Sequence, residues 1–176
     1  MGEQMSGTLE EVVGRLLTEQ KLTLALGESC TGGLVSHRLT NVPGSSSYVL
    51  GGIVAYSNQA KERLLGVRRE TLEEHGAVSE EAAIEMARGA RAALGADIGL
   101  SVTGIAGPGG GAPDKPVGLV YVALSAGGAA RSEAARSEAE RVEQFLWDGN
   151  RKENKALSAE AALSILKEYL ESRQSA

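Results

Sequence analysis

Aromatic residues are scarce: one Trp, one Phe and four Tyr make up 3% of the 176 residues. Rings cannot fill a core at that supply, so the core must be built from Ala, Leu, Val and Ile. Cysteine is almost missing as well, and the single Cys30 excludes an intrachain disulfide. Two histidines, His37 and His75, and that one cysteine form no recognisable metal-ligand spacing, so no metal is expected. Basic residues are not in excess. The formal net charge of -5 argues against a broad nucleic-acid surface and leaves room only for a small basic pocket. No apolar run approaches the length of a membrane span. Residues 1–7 are short and polar, unlike a secretory signal, so the expected location is cytoplasmic, with no membrane partner.

What is present reads as one globular domain over residues 1–176, with 42% hydrophobic and 23% charged residues in ordinary proportion. Strand-like and helix-like periods alternate along the chain. Thr8 opens a helix carrying Glu10 and Glu11 in its first turn, where acids suit the dipole. Strands are expected at 22–26, 48–56, 96–102, 117–124 and 142–147. Helices are expected from 34, from 57 or 58 to 66, over 70–75, from 80 to 94, and from 151 onward. The last two strands should form a hairpin across the Gly127-Gly128 turn. The polar stretch Arg131-Ser132-Glu133-Ala134, echoed at 136–139, reads as an excursion from it. The expected fold class is therefore α/β: a single three-layer α/β/α sandwich with a mixed, mostly parallel sheet.

Ligands in such folds bind at loops beyond the strand ends. The chain is organised around one of these, Gly27-Glu28-Ser29-Cys30-Thr31-Gly32-Gly33, between a strand pattern and a helix pattern. A tight turn here exposes the Ser29 hydroxyl and lets backbone at Gly32 and Gly33 approach a ligand. The same residues also read as a Ser/Thr cap with a flexible Gly pair. Two further loops compete for a ligand: Tyr56 to Lys61, and the Gly/Pro stretch from Thr103 to Pro116.

These loops carry a resemblance. The ordered series runs Gly-Glu-Ser-Cys-Thr-Gly-Gly, Pro-Gly-Ser-Ser-Ser, Tyr-Ser-Asn-Gln-Ala-Lys, Gly-Ala-Val-Ser, Thr-Gly-Ile-Ala-Gly-Pro-Gly-Gly-Gly and Lys-Pro-Val-Gly. Spanning about Leu9 to Leu170, it resembles the CinA C-terminal domain family, in its stand-alone nicotinamide-nucleotide amidohydrolase form. The resemblance implies hydrolysis of the carboxamide of nicotinamide mononucleotide to nicotinate mononucleotide and ammonia. It further implies a small-molecule nucleotide as partner, no cofactor or metal, and a homo-oligomer, with a dimer favoured. The competing function is a non-catalytic nucleotide- or partner-binding module linked to competence.

Amide hydrolysis needs a nucleophile, a base and donors for the developing oxyanion. Ser29 is the expected nucleophile and Lys61 the expected base, its pKa depressed by burial and by a helix N-terminus. Tyr56 is expected to hold the Ser–Lys hydrogen bonds or relay a proton, and Thr103 to bind the amide or assist the serine. Thr31, Gly32, Gly33, Gly104, Gly107, Gly109, Gly110 and Arg151 are the expected substrate-binding residues. The glycines present N–H groups to phosphate, and Arg151 pairs with it. Each also has a plain reading as turn, strand-end or surface residue. Cys30 reads as a packed neighbour with a minor claim as nucleophile; no local pattern pairs His37 or His75 with Ser29. Two features depart from the family pattern. Lys155 stands where many relatives carry a second arginine, four residues after Arg151, and the 127–141 segment looks longer.

Overall fold

The computed structural model describes residues 7–127 and 139–174. Five strands form one sheet: β1 Leu24–Glu28, β2 Val49–Val54, β3 Ile98–Gly104, β4 Leu119–Ala126 and β5 Ala139–Leu146. Six α-helices surround it: α1 Leu9–Gln20, α2 Leu34–Thr40, α3 Asn58–Leu65, α4 Arg69–Glu74, α5 Glu80–Leu94 and α6 Arg151–Gln174. The strand order is β2-β1-β3-β4-β5. β1 pairs parallel with β2 and β3; β4 is antiparallel to both β3 and β5, so only β4 runs against the others. The expected mixed sheet is present and the last two strands pair antiparallel as expected, while the expected Gly127-Gly128 turn runs into residues outside the described ones. The polar echo at 131–138 lies outside the described residues. Among these residues no helix is long and apolar enough to cross a membrane.

Three strands begin two residues later than the apolar pattern predicts, and the cause is the preceding turn. Helix α1 closes with Lys21 in the left-handed region at φ 54, and Leu22 N–H returns to Leu17 O at 3.0 Å. Helix α5 closes the same way on Gly95, with Ala96 N–H on Arg91 O at 3.0 Å. Both are helix-closing turns that consume the first apolar residues after the helix, so pairing starts only at Leu24 and Ile98. Before β4, Gly118 at φ +91 turns the chain and gives its N–H to Ile105 O at 2.7 Å.

The sheet has two unlike faces. On one, Leu24, Leu26, Leu100, Val102, Val122 and Leu124 meet α1, α2 and α6 in the large aliphatic core. On the other, β1, β3 and β4 present Ala25, Gly27, Gly99, Ser101 and Ala123, and the Ala-rich face of α5 settles onto them. The approach is close: a Cβ added at Gly99 would lie 1.9 Å from Ala87 O. Ser101 Oγ donates to Ala83 O at 2.6 Å, satisfying a buried hydroxyl against the helix backbone. This packing holds β1, β3 and α5 in one frame, and the site stands at its edge.

Candidate active site

β1 ends at Glu28 and delivers Ser29 to a turn fastened on both sides. Ser29 N–H donates to Val102 O on β3 at 2.9 Å, and Glu28 O accepts from Ala55 N–H at 2.8 Å. Helix α3 is capped by Ser57, whose side chain accepts from Ala60 N–H. Lys61 falls one turn into that helix and points inward. Its Nζ lies 2.9 Å from Ser29 Oγ and 3.0 Å from Ala55 O. Lys61 is 2% exposed, and its hydrogen-bond partners are a hydroxyl and a carbonyl, neither of them charged.

Burial therefore drives the Lys61 amine below its ordinary value of 10.5, towards the neutral form. A Cys30 thiolate would oppose this. Burial pushes the Cys30 thiol up to about 12, however, so at neutral pH it is protonated and exerts no such effect.

Ser29 and Lys61 line a cleft of about 280 Å³. Tyr56, Thr103, Gly104, Gly107, Gly109, Gly110 and Arg151 line it with them. Thr103 is buried at the end of β3 and donates its hydroxyl to Ala77 O at 2.7 Å, leaving its oxygen lone pairs for the cleft. The first turn of α6 holds the Gly-rich loop by two successive carbonyls: Asn154 Nδ2 donates to Ala106 O at 3.1 Å and Arg151 to Gly107 O at 2.8 Å. Gly107 and Gly110 adopt φ +85 and +89, which side-chain-bearing residues rarely enter.

Two expectations need correction. Tyr56 does not hold the Ser–Lys pair. It is 60% exposed, and its hydroxyl accepts from the Arg151 guanidinium at 2.7 Å, so it seats the arginine at the cleft mouth. Thr31, Gly32 and Gly33 do not line the cleft. Thr31 Oγ1 and Gly33 N–H donate to the Glu28 carboxylate, which also accepts from Val35 and Ser36 of α2. A charge supplied by the chain already occupies this helix start, so the α2 N–H groups are not free for a phosphate. Lys155, one turn beyond Arg151, reaches this region: a Cβ on Gly32 would lie 3.6 Å from its Nζ.

Neither histidine reaches Ser29. His37 is exposed on α2 beside Asn41, and His75 sits at the end of α4 near Glu74 and Glu81. Among the described residues no group of three or more His, Cys, Asp or Glu side chains could hold a metal ion. Sequence reasoning missed Glu28, Asn154, Asn58 and the Ala77–Val78 wall of the cleft. Only Glu28 left a signal: an acid just before a Gly-Gly helix start, the pattern of a side chain that caps from upstream.

Fold and cleft together define an α/β/α sandwich domain with a buried serine–lysine pair at the strand ends. The CinA C-terminal domain family matches residues 6–170, and the chain belongs to that family. It is 58% identical over 159 residues to a "CinA-like protein" of Chlorobaculum tepidum, covering 89% of this chain and 36% of that protein. It is 52% identical to a "putative competence-damage inducible protein" of Moorella thermoacetica, covering 90% of this chain and 36% of that one. The chain thus spans little more than a third of the length of these curated relatives. The crystal structure of competence/damage inducible protein CihA from Agrobacterium tumefaciens superposes with a TM-score of 0.81 at 39% identity, covering 94% and 97% of the two chains.

Proposed function

We propose that the cleft hydrolyses the carboxamide of nicotinamide mononucleotide, yielding nicotinate mononucleotide and ammonia. The observation that carries this reading is the 2.9 Å contact between Ser29 Oγ and a lysine amine that burial holds towards neutrality. A neutral amine takes the Ser29 proton as Oγ attacks the carboxamide carbon. The resulting ammonium returns that proton to the leaving nitrogen, and ammonia departs from the acyl-serine. Water then attacks the ester, with Lys61 again accepting the proton, and Ser29 is restored. Thr103 offers an acceptor to the substrate NH2 group. The glycine loop and Arg151, which has donors beyond the two it uses, offer sites for the phosphate. That remote contact positions the amide, so the nucleotide is favoured over bare nicotinamide.

Purified protein incubated with nicotinamide mononucleotide should release ammonia. Ser29→Ala and Lys61→Arg should not, since a methyl group cannot form the ester and a guanidinium stays charged. Activity should rise with pH through the lowered Lys61 pKa, as the amine loses its proton. Nucleotide binding without ammonia release by the wild-type chain would favour instead a binding module linked to competence.

A further inference from the structure

Glu28 takes no part in the chemistry described so far, yet it is a charged side chain only 1% exposed, directly before the nucleophile. Its carboxylate accepts five hydrogen bonds. Oε2 takes Thr31 Oγ1 at 2.6 Å, Gly33 N–H at 3.0 Å and Val35 N–H at 3.1 Å; Oε1 takes Ser36 N–H at 2.8 Å and Ser36 Oγ at 2.7 Å. All five donors are neutral. A buried carboxylate without a cation is tolerated only where donors and a helix N-terminus replace its water, as here.

We propose that Glu28 is a positioning residue for Ser29: its carboxylate pins the turn from Ser29 to Gly33 against α2 and thereby sets where Oγ meets Lys61. This rests on reading Ser29 as the nucleophile. Helix α2 alone does not require this arrangement, because a Ser or Asp at its N-cap would satisfy its first N–H groups locally. A residue reaching forward from the strand end closes the turn on itself, with Ser29 inside the loop. The main chain of Glu28 extends the same frame to the base. Its carbonyl accepts from Ala55 N–H at 2.8 Å, and Ala55 O accepts from Lys61 Nζ at 3.0 Å. Both partners of the pair therefore hang from one residue, by side chain on one side and by main chain on the other.

Glu28→Gln keeps the shape but turns an amide NH2 towards donors. Ser36 Oγ and Thr31 Oγ1 can rotate away, but the backbone N–H groups cannot. Thr31→Val removes a single bond, and Thr31→Ser keeps it. The test compares these variants with wild type in two readouts: covalent capture of Ser29 by a fluorophosphonate, followed by intact mass, and kcat and KM on nicotinamide mononucleotide. Circular dichroism establishes that each is folded at the assay temperature. Glu28→Gln should slow capture and kcat together by about a hundredfold, the effect of about an ångström of misplacement, with KM unchanged. Thr31→Val should slow both by a smaller factor, and Thr31→Ser should restore them.

A folded Glu28→Gln with wild-type capture and kcat overturns the proposal. If Glu28→Gln does not fold, Thr31→Val decides, and wild-type rates in that folded variant overturn it equally. A wild-type chain whose Ser29 is captured but which releases no ammonia refutes the substrate reading alone; the capture rates then still judge Glu28. A wild-type chain that does neither removes the nucleophile, and this proposal with it.

Discussion

Ser29 and Cys30 are neighbours on one turn, and both line the cleft, but burial separates their chemistry. The hydroxyl has the Lys61 amine at 2.9 Å. The thiol is pushed up to about 12, far from the thiolate that a cysteine nucleophile requires. Iodoacetamide at neutral pH should therefore leave Cys30 unmodified in the folded protein and alkylate it once urea unfolds the chain. Cys30→Ala should keep turnover. Rapid alkylation of the native protein would return Cys30 to candidacy. At this scale the sequence was legible where chemistry is local: a serine on a strand-to-helix turn announces itself by the periods on either side. Contacts across long separations leave no such trace. Lys61 lies 32 residues from Ser29, and Arg151 lies 95 from Tyr56. The first pair was reached only through the ordered family motifs, and the second was not reached at all.

Helix α5 and the strands beneath it are matched by the absence of side chains. Gly99 sits below the Ala87 carbonyl, and an added methyl would stand 1.9 Å from that oxygen, so helix or strand must move. Gly99→Ala should destabilise by about 1–3 kcal/mol, the usual range for overpacking, read as a lower urea midpoint at unchanged slope. Gly109→Ala, where an added Cβ meets nothing within 4 Å, should leave the midpoint in place. Equal midpoints for the two variants would refute the close-approach account. The number and type of elements were legible because hydrophobic period survives tertiary context. The strand starts were not, because Leu22 and Ala96 are apolar and buried or nearly so, yet their N–H groups finish the preceding helix rather than enter the sheet.

The whole molecule carries a stability penalty for burying the Lys61 amine. The folded amine of Lys61 has a pKa below its unfolded value of 10.5, so between the two pH values the unfolded chain binds more protons. Folding releases a proton there, and stability rises with pH across that window. Below the folded pKa the penalty is complete. Lys61→Met has no proton to lose. Urea unfolding of both proteins over a series of pH values should show wild type losing ground to Lys61→Met as pH falls, then running parallel to it below the folded pKa. Curves parallel throughout would mean that the amine is not perturbed. On the proposed reading, the same burial that weakens the fold supplies the neutral amine, an exchange of stability for activity common at catalytic positions.

Helix α6 is also a lever. It has 24 residues, about 36 Å at 1.5 Å per residue. Its first turn grips the glycine loop and Tyr56 through Asn154 and Arg151, while its far end is tied to α1, where Gln20 Nε2 donates to Leu170 O at 2.8 Å. A tilt of about two degrees about that far anchor swings the first turn by about an ångström, enough to matter for an amide that must be placed on Ser29. One helix thus joins the mouth of the cleft to the Gln20–Leu170 contact, and on the proposed reading Gln20→Ala should raise KM for nicotinamide mononucleotide although Gln20 does not line the cleft.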